Sequence, residues 1–556
     1  MTQAKTGGRL LVECLLNQGV TTAYGVPGES YLEVLDALYD VKNQIWLIGA
    51  RNEGGAAFMA EAYGKLTGKP GICFVTRGPG ATNAAIGLHT ARQNSSPMIL
   101  FVGQIGRNMR QREAFQEIDY RAFFGDVAKW VTEIDSADRI SEILGRAFAT
   151  AMSGRPGPVV VALPEDMLRD QTHALAGGPV VISEAAPAQS DLDRAVELLT
   201  QAKKPLVMVG GGGWSDTGRQ NLQRFVERNN LPAAVAFRYQ DLIDNRSDAY
   251  VGDAGVGMSK YLQDMIREAD LLLAINIRFG ESTTDGWKLI DVPSPRQTLI
   301  HSHGSDSEIG KIYQADAPIH AGPNELMREL CQLPVLGDWG NWRDQGRAGF
   351  KSMRTGAKQQ GAVDMVAISR WLNETLANDV IITNGAGNFA AWPSKFIDFF
   401  ANRRLLAPQS GAMGAGFPAA IAAKSVDKTR QVVCFAGDGD FQMTLAEMGT
   451  AMQEGLQPII LLLNNGIYGT IRVHQERRYP SRNSGTTIKN PNFVGLAKAY
   501  GFYAKTVKRT EDFEEAFVAA AASTSGGLIE LMIDPQDVTP FSSLDEIREA
   551  GIASQK

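Results

Sequence analysis

The chain has 556 residues and a formal net charge of −6, with 44% hydrophobic and 21% charged residues. A chain of this length is too long for one hydrophobic core and predicts about three domains of a globular protein. It contains no long block of like charge, no apolar run that could span a membrane and no signal-peptide pattern. We therefore expect neither nucleic-acid nor membrane binding. Its scattered cysteines favour reduced thiols and a cytoplasmic location over disulfides or a zinc site.

Apolar runs alternate with amphipathic segments in the first third of the chain. The pattern predicts a helix over 10–18 and buried strands over 22–26, 71–76, 98–103 and 159–163. Such alternation is typical of a parallel sheet, so we predict an α/β domain over residues 1–172. Within it, Arg51 begins a segment of small residues that predicts a closely packed helix to about residue 66, with Glu53 at its head.

A stretch rich in Ala, Gly, Pro and Ser over 174–190 predicts a linker to a second domain over 190–337. In that domain, predicted strands occupy 205–209, 271–277 and 297–301. The first of these strands runs into the glycine turn 210–213, which is typical of a nucleotide-binding fold. The turn lacks the ordered G-x-G-x-x-G and acidic partner of a dinucleotide fingerprint, so it indicates no particular nucleotide.

The last third predicts a further domain over 360–536 and a polar tail over 537–556. Its first predicted strands occupy 380–384, 433–437 and 458–463, with a predicted helix over 441–454. Three polar motifs follow those strands: the turn 385–388, Gly437-Asp438-Gly439 and Asn464-Asn465. Because open α/β sheets bind ligands at the carboxyl ends of their strands, we expect these motifs to form one site.

The side chains of this edge predict a metal and phosphate site. Asp438 offers a carboxylate and Asn465 an amide oxygen, while Gly437 and Gly439 allow backbone N–H groups to approach an anion. Mg²⁺ prefers hard oxygen ligands and usually binds through few protein groups. The pattern therefore predicts Mg²⁺ bridging a diphosphate.

With residues 440–463 between its two parts, this motif resembles the diphosphate-binding motif of thiamine diphosphate (ThDP) enzymes. Over nearly the whole chain, the order of motifs is similar to the acetolactate (acetohydroxyacid) synthase large subunit family. The resemblance implies an α/β fold of three doubly wound parallel-sheet domains, namely a pyrimidine-binding, a Rossmann-like middle and a diphosphate-binding domain. It implies ThDP and Mg²⁺ as cofactors and allows FAD in the middle domain, although no residue there demands FAD.

Glu53, the segment 25–28 and the segment 78–83 together resemble the pyrimidine-binding domain of these enzymes, with Pro27 and Gly28 among the cofactor contacts. The resemblance implies that Glu53 is buried against the N1′ atom of the aminopyrimidine. A carboxylate in a low dielectric has a raised pKa and can share a proton with a ring nitrogen. That proton favours the imino tautomer, which removes the thiazolium C2 proton, and the ylide then attacks a carbonyl carbon.

The resemblance also implies other site residues. The backbone carbonyl of Gly411 would hold the 4′-amino group, Met413 would keep ThDP bent, and the carbonyl of Ile467 is the expected third Mg²⁺ ligand. Gln116 is the candidate for a polar contact to substrate, with Phe115 as a pocket wall. The remaining implied cofactor contacts are Gly385, Gly387, Asn388, Gly437, Gly439, Asp440 and Tyr468.

Three positions depart from the synthase pattern. Ser282 stands where the synthase has an arginine that helps bind the second oxo acid. His474 stands where it has a tryptophan that favours 2-oxobutyrate, and Phe389 replaces a histidine. The first two departures affect acceptor selection, so acetolactate formation as the native reaction is left open. His474 is the histidine that we expect to line the pocket.

We predict decarboxylation of a 2-oxo acid, carboligation of the resulting acyl carbanion, or both. In the family the cofactor lies between two subunits, which implies a homodimer or homotetramer with active sites at the subunit interface. One alternative is a ThDP-dependent C–C lyase acting on a 2-hydroxyacyl-CoA, oxalyl-CoA-like or cyclic diketone substrate, because segment 464–469 is close to that of the CoA branch. Another is a non-catalytic nucleotide-binding protein built on the turn 210–213, against which Glu53 argues.

Overall fold

A computed structural model describes residues 3–400 and 402–555, which fold around three parallel sheets of six strands each. Helices cover the faces of the sheets, and a short antiparallel pair joins Lys5–Thr6 to Gln171–Thr172. This architecture confirms the predicted α/β fold of three parallel-sheet domains. The four cysteines are unpaired. Across the described ranges, every helix is too short or too polar to cross a membrane.

The first sheet is built from the first third of the chain. In spatial order its strands are Trp46–Gly49, Thr22–Gly25, Gly71–Val75, Met98–Gln104, Pro158–Pro164 and Trp130–Glu133. The helices of this domain are Gly7–Asn17, Leu32–Asp40, Glu53–Thr67, Gly78–Asn94, Tyr120–Phe124, Ile140–Met152 and Glu165–Arg169. Its central strands are buried along their whole length, as expected of continuous apolar runs covered by helices on both faces.

The second sheet has the strand order of dinucleotide-binding folds. In spatial order its strands are Tyr250–Ala254, Ala233–Ala236, Pro205–Val209, Leu271–Ile275, Thr298–His303 and Ala317–His320. Its helices are Gln189–Gln201, Asp216–Arg228, Lys260–Glu268, Pro323–Leu330 and Gly340–Met353. Counted along the chain, the order is 3-2-1-4-5-6, and the direction of winding reverses beside Pro205–Val209. The glycine turn 210–213 follows directly from that strand.

The third sheet carries the polar motifs of the last third. In spatial order its strands are Arg404–Leu406, Ile381–Asn384, Val432–Gly437, Ile459–Asn464, Gly527–Met532 and Tyr503–Val507. Its helices are Met365–Thr375, Ala391–Phe396, Gly416–Val426, Asp438–Gln442, Met448–Glu454, Gly469–Arg478, Phe493–Ala499, Phe513–Ala522 and Leu544–Ser554. Single 3₁₀ turns across the chain lie at Glu29–Tyr31, Arg107–Met109, Ala137–Arg139, Gln240–Leu242, Asp306–Glu308, Asn388–Ala390, Leu445–Glu447 and Thr510–Asp512.

The first and third domains share one hydrophobic core, whereas the middle domain has its own. Helix Glu53–Thr67 packs against helix Gly416–Val426, and both helices are rich in buried small residues. Their buried alanines include Ala56, Ala57, Ala60, Ala419, Ala420 and Ala423. Because both helices are buried almost all round, neither shows a polar face, and the prediction of a closely packed small-residue helix is confirmed.

The predicted continuous helix over 441–454 is wrong. The segment breaks at Thr444, whose hydroxyl donates a 2.7 Å hydrogen bond to the Gly414 carbonyl, and helix resumes only at Met448. A hydroxyl group that bonds to backbone competes with helical hydrogen bonding, and here it turns the chain. The break brings Glu447 to the start of helix Glu53–Thr67 in the first domain.

Candidate active site

Asp438 is the centre of a dense hydrogen-bond network at the carboxyl end of strand Val432–Gly437. Its Oδ1 accepts from the Gly439 N–H at 2.9 Å, and its Oδ2 accepts from the Gly466 N–H at 2.8 Å and from Asn490 Nδ2 at 2.6 Å. The side chain is buried, which raises the pKa of the carboxyl, while the three donors oppose that rise. The network fixes the orientation of the carboxylate.

Asn490 joins the two predicted motifs. Its Nδ2 also donates to Asn464 Oδ1 at 2.8 Å, and Asn464 in turn donates to Glu530 Oε1 at 2.8 Å. Asn464 is therefore a buried support, whereas Asn465 is half-buried and accepts only from the Ile467 N–H, at 3.2 Å. The structure thus brings the 438 and 464–465 motifs together, through a residue that the sequence analysis missed.

The loop after Asn465 is fixed by backbone hydrogen bonds next to Asp438. Tyr468 donates its N–H to Thr486, and Gly466 accepts from Ile488, so Ile467 is held between two backbone bonds. In the described parts of the chain no donor hydrogen-bonds to the Ile467 carbonyl. An uncommitted carbonyl beside a carboxylate and an amide oxygen gives the hard oxygen set that suits Mg²⁺. The residues present therefore fit the predicted metal.

Two glycines of this site lie where a side chain would be unfavourable, one because of a close contact and the other because of its backbone conformation. A Cβ atom at Gly439 would lie 2.5 Å from the Tyr468 ring, so Tyr468 packs directly on the Gly-Asp-Gly turn. Gly414 has a φ of +84°, a backbone conformation that L side chains rarely adopt. Met413, half-buried, directly precedes that turn, and Gly411 lies at its exposed side.

Asp440 positions two loops of the site. Its Oδ1 accepts from the Gly414 N–H at 2.8 Å and from the Ala386 N–H at 3.1 Å, which joins the Met413 loop to the turn that contains Gly385 and Gly387. Complete burial raises the pKa of Asp440 to about 7, although both N–H donors oppose the rise. The predicted contact of Asp440 with the cofactor stays a prediction, because Oδ1 already accepts hydrogen bonds from these two backbone N–H groups.

The C-terminal segment packs beside these loops. Asn388 donates from Nδ2 to the Val538 carbonyl at 2.8 Å. Val538 forms an apolar cluster with Ile467, Val473, Leu544 and Ile547. His474 lies on the adjoining helix Gly469–Arg478 and is exposed in the single chain, so its predicted place in the pocket stays a prediction.

Glu53 lies in a different setting, at the first residue of helix Glu53–Thr67. The Asn52 side chain caps that helix by accepting from the Gly54 N–H at 2.8 Å. Glu53 is half-buried and accepts from Asn83 Nδ2 at 2.9 Å. Asn83 belongs to helix Gly78–Asn94, so Glu53 and the segment 78–83 lie together, and their assignment to a pyrimidine site stays a prediction. Among the described residues, no hydrogen bond or ion pair joins Glu53 to Asp438 or Asn465.

Two other predicted residues of the first domain, Gln116 and Gly28, lie beside the segment that leads into helix Gly78–Asn94. The Gln116 carbonyl accepts from the Gly78 N–H at 3.0 Å, and Gln116 has a φ of +65°. Phe115 is 72% exposed in the single chain. It can form the wall of a pocket only if a second surface, such as another subunit, packs against it. Gly28 lies against Thr76, where a Cβ would approach the threonine side chain to 2.5 Å, and Pro27 beside it is exposed.

Glu447 connects the third domain to the start of the Glu53 helix. Its carboxylate accepts from the N–H of Asn52 at 3.0 Å, from the N–H of Arg51 at 3.2 Å and from the Thr450 hydroxyl at 2.6 Å. Burial raises the pKa of this carboxyl, and its donors oppose the rise. The sequence analysis missed Glu447, because nothing in its local pattern marks a contact with residue 52.

Comparisons with known proteins agree with this geometry. Three family models match the chain: the thiamine pyrophosphate enzyme N-terminal binding domain over residues 5–123, the central domain over 192–330 and the C-terminal binding domain over 385–531. The chain is 30% identical over 554 residues to the acetolactate synthase large subunit of Parasynechococcus marenigrum, covering 96% of this chain and 88% of that protein. It is 30% identical over 552 residues to the isozyme 2 large subunit of Escherichia coli, covering 98% and 99%.

These matches confirm the predicted family and ThDP as cofactor. They favour the acetolactate synthase-like prediction over the CoA-lyase and nucleotide-binding alternatives. The chain belongs to the thiamine pyrophosphate enzyme family and is a ThDP-dependent enzyme that resembles the acetolactate synthase large subunits.

Proposed function

We propose that the enzyme decarboxylates a 2-oxo acid and transfers the resulting acyl group to a carbonyl acceptor, with ThDP and Mg²⁺. The observation that carries the proposal is the fixed carboxylate of Asp438 beside the amide of Asn465 and the uncommitted carbonyl of Ile467. These three groups would hold Mg²⁺ and, through it, the diphosphate. Relatives named acetolactate synthase over nearly the full length support the substrate class.

Bound ThDP supplies a nucleophilic carbon and an electron sink for loss of CO₂. The chain's own contribution at the other end is Glu53, which would hold a proton at the aminopyrimidine nitrogen. Its single donor, Asn83, leaves the second carboxylate oxygen available for that role. The surrounding small residues of the helix allow a ring to approach closely.

We further propose that two chains form each active site. In one chain the Asp438 network and Glu53 lie in separate settings, and Phe115 projects into solvent. A second copy that covers Phe115 and faces Glu53 would complete the pocket with the predicted residues Gln116 and His474. The assembly is then a homodimer or a pair of dimers, and its unpaired cysteines are those of a cytoplasmic enzyme.

The middle domain supports a nucleotide cofactor as a separate part of the proposal. A cavity of about 1160 Å³ runs along Gly211–Gly213 and past Ser305, at the carboxyl ends of its strands. This is the edge at which doubly wound folds bind dinucleotides, and FAD is the group that the resemblance allows there. A flavin absorption band in the purified protein is the expected result. A colourless protein with full ThDP-dependent turnover would remove FAD from the proposal.

The decisive test removes the acid while preserving its shape. Glu53→Gln should lower kcat by at least about 100-fold, because the amide cannot hold the proton at the ring nitrogen. CO₂ release from a panel of 2-oxo acids, with and without aldehyde acceptors, measures the change in kcat. The same assay after ThDP and Mg²⁺ are removed, and again after they are restored, tests whether turnover depends on them.

Glu61→Gln is the matched control, since Glu61 lies on the same helix and, among the residues that the structure describes, accepts hydrogen bonds only from Asn94 and Ser96. Its kcat should stay close to that of the wild type. A Glu53→Gln enzyme with unchanged turnover, or turnover that survives removal of ThDP, would refute the proposed function.

A further inference from the structure

Arg238 is a buried cation without an acidic partner. It follows strand Ala233–Ala236 of the middle domain, is 6% exposed, and its Nε has no hydrogen-bond partner. Within the described parts of the chain, no carboxylate oxygen lies within 4.0 Å of its guanidinium. Its guanidinium carbon lies 4.6 Å from the centroid of the Phe237 ring. A buried charge without compensation is costly, so a ligand anion is the natural partner.

The nearest carboxylates are already committed. Asp253 pairs with Lys395 at 2.7 Å, with both side chains buried. Asp440 holds the N–H groups of Gly414 and Ala386. Both acids act electrostatically on Arg238, but burial dominates and lowers its pKa to about 10, so the guanidinium stays charged at neutral pH.

The backbone at Arg238 is strained and clamped. Its φ is +68°, a conformation that is costly for a residue with a Cβ and that persists mainly where the surroundings enforce it. Gln409 donates from Nε2 to the Phe237 carbonyl at 2.8 Å, the Tyr239 hydroxyl donates to the Asn94 carbonyl at 2.6 Å, and Gln240 donates from Nε2 to the Ser394 hydroxyl at 3.0 Å. The first and third domains therefore fix this segment of the middle domain.

Gln409 also links Arg238 to the cofactor site, because it directly precedes the loop that contains Gly411 and Met413. Ser282 lines a small cavity together with Tyr239 and Gln409. Arg278 is the charged residue that lines that cavity, and Ala236 and Tyr239 bring the segment that contains Arg238 to its wall.

We propose that Arg238 binds the carboxylate of the 2-oxo acid substrate beside the cofactor. A guanidinium offers a planar pair of donors that matches a carboxylate in a bidentate manner. The shared chemistry is that of an oxyanion, so the cofactor diphosphate is the competing source. The substrate is favoured because Arg238 comes from the middle domain, whereas the diphosphate already has the Asp438 metal site and the backbone N–H groups of the third domain.

This inference rests on the proposed function, and kinetics test it first. Arg238→Gln should raise KM for pyruvate on the order of 10- to 100-fold, with a smaller change in kcat and less than about a twofold change in the ThDP dissociation constant. Arg238→Lys should recover part of the loss, since it restores charge without the planar fork. A higher ThDP dissociation constant with an unchanged KM would assign Arg238 to the diphosphate and overturn the proposal.

Arg347→Gln is the matched control. Arg347 is also buried in the middle domain, but its guanidinium donates to the carbonyls of Asn245, Tyr250 and Arg246. Its loss should lower the unfolding temperature and leave KM for pyruvate unchanged. An equal rise of KM in both variants would mean that Arg238 acts only on the fold.

A binding measurement separates this inference from the proposed function. Oxamate carries the carboxylate of pyruvate but releases no CO₂, and calorimetry of the ThDP–Mg²⁺ enzyme should show it binding to the wild type and at least about tenfold more weakly to Arg238→Gln. Equal affinity in both, or no binding to the wild type, would overturn the role of Arg238. A wild type that binds oxamate yet releases no CO₂ from any 2-oxo acid would refute the proposed function alone.

Discussion

The two ends of the predicted cofactor site differ in how completely one chain builds them. Asp438 is buried, and three donors within the third domain fix its carboxylate. Glu53 is half-buried and has one donor, Asn83. The difference teaches that the proposed metal and diphosphate end is preorganised within one chain, whereas the proposed proton-transfer end is left open on one side.

The largest effect is expected from a substitution that removes the negative charge of Asp438. Asp438→Asn should weaken Mg²⁺-dependent ThDP binding by more than about 100-fold, because an amide replaces the one anionic ligand of the site. Tryptophan fluorescence titration with ThDP at several Mg²⁺ concentrations measures the change. Unaltered affinity at low Mg²⁺ would mean that the metal lies elsewhere.

A matched pair of variants compares the two ends directly. Asn490→Ala releases both Asp438 and Asn464, so it should raise the ThDP dissociation constant about 10- to 100-fold. Asn83→Ala releases only Glu53, so it should lower kcat about tenfold with little change in ThDP binding. If both variants change the same parameter, the two ends are not functionally distinct.

Glu447 joins the third domain to the start of the Glu53 helix, so its replacement should lower the stability of the fold. Glu447→Gln removes the charge that receives the N–H groups of Arg51 and Asn52, which should lower the free energy of unfolding by about 1–3 kcal/mol. Urea denaturation followed by circular dichroism measures the loss. Glu454→Gln is the control, since it removes only the charge from one half-buried acceptor of the Trp46 N–H across the same pair of domains and should cost less.

The smallest expected effect is a change in acid stability. Glu476 is buried, which by itself would raise its pKa, but hydrogen bonds from Arg548, Ser481 and Asn483 prevail and lower the pKa to about 2. A lowered folded-state pKa gives stability that is present above about pH 4.5 and lost as the pH falls toward 2. Glu476→Gln should flatten that part of a pH–stability curve. An unchanged slope would show that the Arg548 contact does not hold the C-terminal helix.

The sequence was sufficient for those parts of the fold and site that depend on local pattern. Apolar runs ending in glycine and polar residues predicted the strands and the Asp438 and Asn465 motifs, because strand ends and ligand groups are adjacent in the chain. Asn490, Glu447 and Arg238 escaped prediction because their roles depend on contacts with residues far away in sequence. The break at Thr444 escaped for the same reason, since its cause is the distant carbonyl of Gly414.

The packing of helix Glu53–Thr67 against helix Gly416–Val426 has a consequence for synthesis of the chain. The first domain emerges from the ribosome with one apolar face uncovered, and the helix that covers it is translated roughly 20 to 70 s later at ordinary rates. Until then the nascent apolar surface is exposed and prone to aggregation. The intervening middle domain meanwhile has time to fold around its own core. Newly made chains should therefore depend on chaperones until the third domain arrives.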